Sequence, residues 1–261
     1  MIKKKKQSYK NKKVPFFSVI TVVKNNESKI KKTIDSILSQ TFKNFEYIII
    51  DGKSSDNSLQ IINRYKKNIK KIVSQKDKGI YDAMNKGLNL SVGKVILYLN
   101  SGDILTKNAL KIVYKIFSKN KNLDFVFGTV KRYYTKATII KSGFNKKRLF
   151  YNFDFATTHS AGFFLKRISF YKAGIFKLKY KCSADYDLYM RVLIKHNMKG
   201  DYTNKEDLIG VVESGGFSSK LSFFDHLFEE TKIRLNNKQN ILLVFLIFVN
   251  AVMKWILKKI F

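Results

Sequence analysis

Residues 45–58 read FEYIIIDGKSSDNS. Phe45 to Ile50 is a run of aromatic and β-branched residues, short enough for a strand buried on both faces. It breaks at once into Asp51-Gly52-Lys53-Ser54-Ser55-Asp56, a string of turn formers. Asn57 to Lys67 follows with Leu59, Ile62 and Tyr65 on one side, which predicts a helix. Upstream the same rhythm appears. Phe16 to Val23, FFSVITVV, predicts a buried strand ending in Lys24-Asn25-Asn26, and Ile30, Ile34, Ile37 and Leu38 predict an amphipathic helix over 27–39.

Working downstream, Ile69 to Val73 and Val95 to Leu99 read as strands, and Tyr81 to Leu90 and Asn108 to Phe117 as helices. Strands alternating with helices specify an α/β fold, a mostly parallel sheet covered on both faces. Phe125 to Tyr134, Thr138 to Ile140 and Thr158 to Leu165 read as further strands, and Ser183 to His196 as a helix carrying Leu188, Val192 and Leu193. No repeat or long linker interrupts this pattern. The expected organisation is a basic arm over 1–14, one domain over 15–235, and a distinct tail over 236–261.

The 261 residues carry 51 Lys plus Arg against 19 Asp plus Glu, a net charge of +32, with 45% hydrophobic residues. That apolar content supports a sizeable core and excludes intrinsic disorder for most of the chain. A lone Cys182 forms no internal disulfide and fits a reducing compartment. The start, MIKKKKQSYKNKK, lacks the apolar core of a signal peptide. The charge attracts polyanions, which include nucleic acid, anionic headgroups and phosphorylated substrates. Against nucleic acid, the basic arm has few interleaved aromatics, Lys far outnumbers Arg, and no recognition module is legible.

In open α/β sheets ligands bind beyond the carboxyl ends of the strands. Those ends here are Lys24-Asn25, Asp51, Gln75-Lys76-Asp77 and Asn100-Ser101-Gly102-Asp103. Asp51, Asp56, Asp77, Asp82 and Asp103 lie at or near them in a chain poor in acids. Taken singly each Asp is an ordinary turn residue; taken together they suit a hard divalent cation with phosphates. Lys76 and Lys78 flank Asp77, where they would meet a pyrophosphate as point charges.

Four blocks, PFFSVITVVKNN, SILSQTFKNFEYIIIDGKSSDNS, KDKGIYDAMNKGLNLSVGKVILYLNSGD and ADYDLYMRV, resemble in order and interval a family 2 glycosyltransferase with the GT-A fold. The resemblance covers about residues 15 to 215, nearest to bacterial enzymes of surface-polysaccharide assembly. It implies that Asp51, with Asp77, Lys78 and Asn100, meets the nucleotide of a nucleotide-sugar donor. It further implies that Asp103, last in a DxD-type motif, holds Mn²⁺ or Mg²⁺. The motif departs from the common form, having Asn100 and Gly102 where many members have Asp. Asp185 stands where the family has its general base, with Asp187 as a substitute, although Asp185 is equally a dipole-favoured acid in the first turn of a helix capped by Ser183. His159 stands where relatives carry a His near the sugar or acceptor, and Gly215-Gly216-Phe217-Ser218 resembles a loop that closes the site. The Gln-x-x-Arg-Trp signature of processive members is missing.

The tail reads ILLVFLIFVNAVM from Ile241 to Met253, then Lys254-Trp255-Ile256-Leu257-Lys258-Lys259. It falls short of the roughly 20 apolar residues of a spanning helix. Asn250, Lys254 and Lys258 share a face, which predicts an amphipathic helix in an anionic membrane interface anchored by Phe245, Phe248 and Trp255. Packing on the domain, a dimer contact and a short tilted span are the alternatives. The expected function is a non-processive, inverting transfer of one sugar from a nucleotide-diphosphate donor to a lipid-linked or lipopolysaccharide saccharide, at the cytoplasmic face of the inner membrane. The alternatives are a basic nucleic-acid-binding protein and a noncatalytic sugar-nucleotide-binding subunit.

Overall fold

The computed structural model describes residues 14–134, 137–151, 156, 159–213 and 222–260. The basic arm before residue 14 and the Gly215 to Ser218 loop lie outside them. In the first half, β1 (Phe17–Val23), α1 (Glu27–Leu38), β2 (Phe45–Asp51), α2 (Ser58–Arg64), β3 (Lys71–Ser74), α3 (Ile80–Leu90), β4 (Val95–Tyr98), β5 (Ile104–Leu105) and α4 (Ala109–Lys119) follow one another. β3, β2, β1 and β4 pair in parallel in that spatial order. Each strand is apolar on both sides because each faces a core. Ile20, Val22, Ile48, Ile50, Ile96 and Tyr98 point to one, with Met84 and Leu88 of α3. Their neighbours Val19, Val23, Ile49, Val95 and Leu97 point to the other, with Ile30 and Ile34 of α1 and Leu110 and Val113 of α4. The strand period of two thus splits one sequence run between two cores.

The second half extends the sheet. β6 (Phe125–Phe127) and β9 (Phe163–Lys166) are antiparallel partners, and β9 also pairs antiparallel with β4. β10 (Gly200–Tyr202) joins β6 in parallel. Among the described residues the sheet order is therefore β10-β6-β9-β4-β1-β2-β3. A smaller sheet follows the order β5-β11-β7-β8, with β7 (Thr129–Tyr133), β8 (Thr138–Lys141) and β11 (Leu208–Val212). The run expected as one strand over 125–134 is two, broken at Gly128, where the chain leaves one sheet for the other. A Cβ there would lie 2.8 Å from Ile209 Cγ1, so the crossing needs glycine.

The strand expected from Thr158 is instead a single 3₁₀ turn at Ser160–Gly162 followed by β9. The helix expected over 183–196 is α6 (Ala184–Met190) continuing into a π turn at Arg191–Lys195. α5 (Arg167–Ala173), α7 (Phe223–Asn236) and α8 (Ile241–Ile260) complete the chain. α7 opens with a capping box, Ser222 Oγ accepting from the Asp225 amide while Asp225 accepts from the Ser222 amide. Its Arg234, almost fully buried, donates to the carbonyls of Leu149 and Phe150 and lies over the Tyr186 ring.

α8 packs back on α7. Trp255 stacks on Phe223 and meets Phe224 edge-on, and Phe248 contacts Phe228. Trp255 and Phe248, expected as outward anchors, are therefore inward contacts; a polar face cannot hold α8 on the domain, and these rings can. The outward stripe is instead Ile241, Leu242, Phe245, Leu246, Val249 and Met253, with Leu242 70% exposed. Among the described residues no helix is long and apolar enough to cross a membrane.

Candidate active site

A cleft of about 1110 Å³ opens at the carboxyl ends of β1, β3 and β4. The parallel register levels those ends, with Val23 beside Asp51 and Asp51 beside Ser74. Antiparallel β9 then brings the residues that precede it, His159 and Ser160, next to the end of β4. Asn100 Nδ2 donates to Ser160 Oγ at 3.2 Å. β7 and β11 of the small sheet add Arg132, Val212 and Glu213 to the rim.

The loops after β1 and β2 are strapped together. Ser54 Oγ accepts from the Asn25 amide, Asn25 Oδ1 from the Ser55 amide, and Ser58 Oγ from the Asn26 amide. Asp56 accepts the Glu27 amide at the start of α1, so it is a strap. Asp82 likewise holds the Lys78 amide and pairs with Lys86 at 3.0 Å. Asp51 is wholly buried and accepts from the Ser54 amide, Ser54 Oγ and Ser74 Oγ. It does not line the cleft; Asp77 does. A Cβ on Gly52 would sit 2.4 Å from Asp77 Oδ2, which means the Asp77 carboxylate lies directly over the Gly52 backbone, on the cleft wall. Lys78 is exposed and off that wall, a correction to the expected pyrophosphate contact. The cations on the wall are Lys24, Lys29 and Arg132, the last two unforeseen.

Asn100 and Asp103 are both on the wall, and Asn100 Oδ1 and Asp103 Oδ2 are buried with no hydrogen-bond partner among the described residues. His159 Nδ1 stands 3.8 Å from Asp103 Oδ2, too far to satisfy it, and accepts instead from the Ala161 amide. Burial drives the Asp103 carboxyl well above the usual carboxylate range, Arg132 and Lys29 opposing. Burial, helped by Arg132, pushes the His159 imidazole down to about 3. Among the described residues no three His, Cys, Asp or Glu side chains converge to cage a metal. Two orphaned hard oxygens do fit a divalent cation that draws its other ligands from phosphate and water, as Mg²⁺ does.

Across the cleft, α6 contributes Asp185. Its Oδ1 accepts from the Tyr186 amide at 2.9 Å and the Tyr81 hydroxyl at 3.3 Å. Burial lifts the carboxyl to about 6, those two hydrogen bonds opposing. The cap expected from the Ser183 side chain is absent; Glu229 of α7 accepts the amides of Lys181, Cys182 and Ser183 instead. Burial would raise Glu229, but those amides and the Cys182 thiol outweigh it and hold the carboxyl below its ordinary value. Asp187 is not a substitute base. It is fully buried away from the cleft, bonded to Arg191 Nε at 2.8 Å, Lys177 Nζ at 3.0 Å and Asn237 Nδ2 at 3.1 Å. Two residues on from Asp185 along the helix, it is turned about 200° round the axis, away from the cleft.

The family model for glycosyl transferase family 2 matches residues 18–178. A PGL/p-HBAD biosynthesis glycosyltransferase of Mycobacterium tuberculosis is 32% identical over 183 residues, 68% of this chain and 69% of its own. The chain belongs to glycosyltransferase family 2. The chondroitin synthase of Escherichia coli is 31% identical to this family 2 chain over 145 residues, but that match spans only 21% of the synthase. TarS of S. aureus, solved with UDP-GlcNAc, superposes with a TM-score of 0.69 at 18% identity, over 84% of this chain and 65% of that one. The mannosyltransferase PcManGT of Pyrobaculum calidifontis, solved with GDP-Man and Mn²⁺, gives 0.60 at 13%, over 85% and 63%. Both likenesses show the GT-A-like fold, and the family 2 chain spans just under two thirds of either structure. The family 2 chain is thus a glycosyltransferase whose strand-end wall holds the unpartnered oxygens and whose helical wall holds the raised carboxylate.

Proposed function

We propose that the chain is a non-processive, inverting transferase that moves one sugar from a nucleotide-diphosphate donor to a lipid-linked or lipopolysaccharide saccharide in surface-polysaccharide assembly. The observation that carries this reading is the presence within one cleft of the unpartnered Asn100 and Asp103 oxygens and the Asp185 carboxylate. Asp185 takes the proton from the acceptor hydroxyl while the hydroxyl oxygen bonds to the anomeric carbon. The bond from that carbon to the diphosphate oxygen breaks on the opposite side, its electron pair leaving with the nucleoside diphosphate. A carboxylate near 6 is a usable base at neutral pH. Asp103 and Asn100 would hold Mn²⁺ or Mg²⁺, which when bound neutralises charge on the leaving diphosphate. Asp77 lies over Gly52, where a nucleotide would rest; a direct contact from Asp51 requires its serine clasp to open. Lys29 and Arg132 neutralise phosphate from the rim, and His159 stays neutral beside the sugar.

The outward stripe of α8, the exposed Lys254 and the net charge of +32 support a peripheral seat on the anionic cytoplasmic leaflet of the inner membrane. Replacing Phe245 and Met253 by Glu should release the protein from anionic vesicles; retention would remove this part of the proposal. The transfer itself is tested by nucleotide release from UDP-, GDP- and dTDP-sugars with Mn²⁺, Mg²⁺ or EDTA. Release from one base, abolished by EDTA and by Asp185→Asn, is expected. Silence with every donor would favour a noncatalytic sugar-nucleotide-binding subunit, for which the reduced Asn-Ser-Gly-Asp motif is the support.

A further inference from the structure

α7 puts two titratable side chains on the cleft wall, His226 and Glu230, one helical turn apart. Their orientation is fixed from three directions. Leu227 and Ile233 are buried in the fold, Glu229 clamps the three amides ahead of α6, and Arg234 is bonded to the carbonyls of Leu149 and Phe150. Glu229 binds the loop that leads into Asp185, and the adjacent Glu230 lines the same cleft as the Asp185 carboxylate. Burial lifts Glu230 to about 7, with the charges of Asp185 and Glu229 adding to the rise and Arg234 and His226 opposing it.

Among the described residues no hydrogen bond to the Glu230 carboxylate is seen, and burial with the charges of Arg234, His226, Asp185 and Glu229 bears most strongly on it. A largely buried carboxylate without donors, open to a cleft, has capacity for incoming O–H groups. It repels phosphate, so the donor diphosphate belongs at the other end, with Lys29 and Arg132. The reaction at Asp185 requires the acceptor hydroxyl to arrive from the side away from the leaving diphosphate, and α7 shares the cleft wall with Asp185.

We infer that Glu230, with His226 one turn before it, forms the acceptor subsite, where its carboxylate accepts hydrogen bonds from hydroxyls of the acceptor saccharide and sets that sugar's position against Asp185. This rests on the transferase reading above. It adds a specificity-determining group contributed by α7, outside the residues 18–178 matched by the family model. A sugar presenting two adjacent hydroxyls to Glu230 binds better than one presenting a single hydroxyl, because both carboxylate oxygens are open.

The test separates the two readings. Octyl glucoside, galactoside, mannoside and N-acetylglucosaminide are titrated calorimetrically into the full chain with Mn²⁺ and nucleoside diphosphate, and nucleotide release to water is followed in parallel. Glu230→Gln should weaken the best glycoside about tenfold or more, the loss expected for one charged hydrogen bond. That loss should exceed any loss in nucleotide release by a similar factor, and Glu230→Asp should recover part of it. Equal glycoside affinity in Glu230→Gln, equal loss in both readouts, or no glycoside bound by the unaltered chain would each overturn the inference. Failure of the transferase reading shows instead as no nucleotide release from any donor in the unaltered chain.

Discussion

Asparagine at 185 and asparagine at 187 should move activity and stability in opposite directions, although the two residues sit in the same turn of α6. Burial lifts the Asp185 carboxyl from 3.8 to about 6. At about 1.4 kcal/mol per pH unit, holding it ionised at neutral pH costs the fold about 3 kcal/mol. The folded value lies above the unfolded one, so this group's stabilising contribution is complete below about pH 4 and is lost as pH rises through about 6. Asp185→Asn should therefore match the unaltered protein near pH 4 and exceed it at pH 7.5 by up to about 3 kcal/mol, or roughly 5–10 °C in Tm. Its transfer should fall by two orders of magnitude or more, roughly what a general base contributes. Asp187→Asn leaves Arg191, 4% exposed, without its counter-charge. Breaking a buried pair from one side costs about 3–5 kcal/mol, while activity per folded molecule should survive. Denaturant melts at pH 4, 6 and 7.5 alongside nucleotide release check both variants. A Tm that falls in Asp185→Asn, or transfer abolished in a folded Asp187→Asn, would refute the assignment of roles.

The pH dependence of kcat/KM should rise through an apparent value of about 6, set by Asp185; a profile flat from about pH 5 to 8 contradicts a base at that position. Asp103→Ala should lose metal-stimulated nucleotide release, and full activity of the unaltered protein in EDTA would remove the metal from the reaction. Gly52→Ala forces a methyl to 2.4 Å from Asp77 Oδ2 and should raise the donor KM by about tenfold, read by steady-state kinetics; an unchanged KM would free Asp77 from nucleotide binding. Arg234→Met removes one donor each from the carbonyls of Leu149 and Phe150, which keep Tyr186 and Gln239 as donors, and should cost about 1–3 kcal/mol in a denaturant melt, a loss below about 0.5 kcal/mol arguing against the anchor.

The parallel half of the sheet was legible because its signals are local. Phe17 to Val23 and Phe45 to Asp51 are each apolar at five of seven positions, on both faces, as a doubly covered strand requires, and Asn100 to Asp103 advertise the strand end by composition. What stayed hidden depends on distant partners. Gly128 looks like any glycine until Ile209 is packed against it. β10 and β11 are too short to rise above their surroundings, and the Ser222 to Asp225 box that starts α7 is visible only as spacing. Asp185 and Asp187 look alike in ADYDLYM; the ion pair of Asp187 with Arg191 is readable at i, i+4, but Lys177 and Asn237 come from elsewhere. Glu230 has no local signal, since its place on the cleft comes from the Glu229 clamp on residues 181–183.

The sheet order sets a timetable for synthesis. β1, β2, β3 and β4 all lie within the first hundred residues, and once they leave the ribosome they can pair with one another. β4, however, is an internal strand in the finished sheet and an open edge until β9 arrives, roughly 65 residues later in the chain. At typical elongation rates of about 5–20 residues per second, that edge stays unpaired for about 3–13 seconds. Its sequence, Val95-Ile96-Leu97-Tyr98, is uncharged and strongly β-forming, the kind of edge that recruits other chains. A nascent chain stalled between residues 100 and 163 is therefore the form of this protein most exposed to aggregation, and the one with most need of a chaperone.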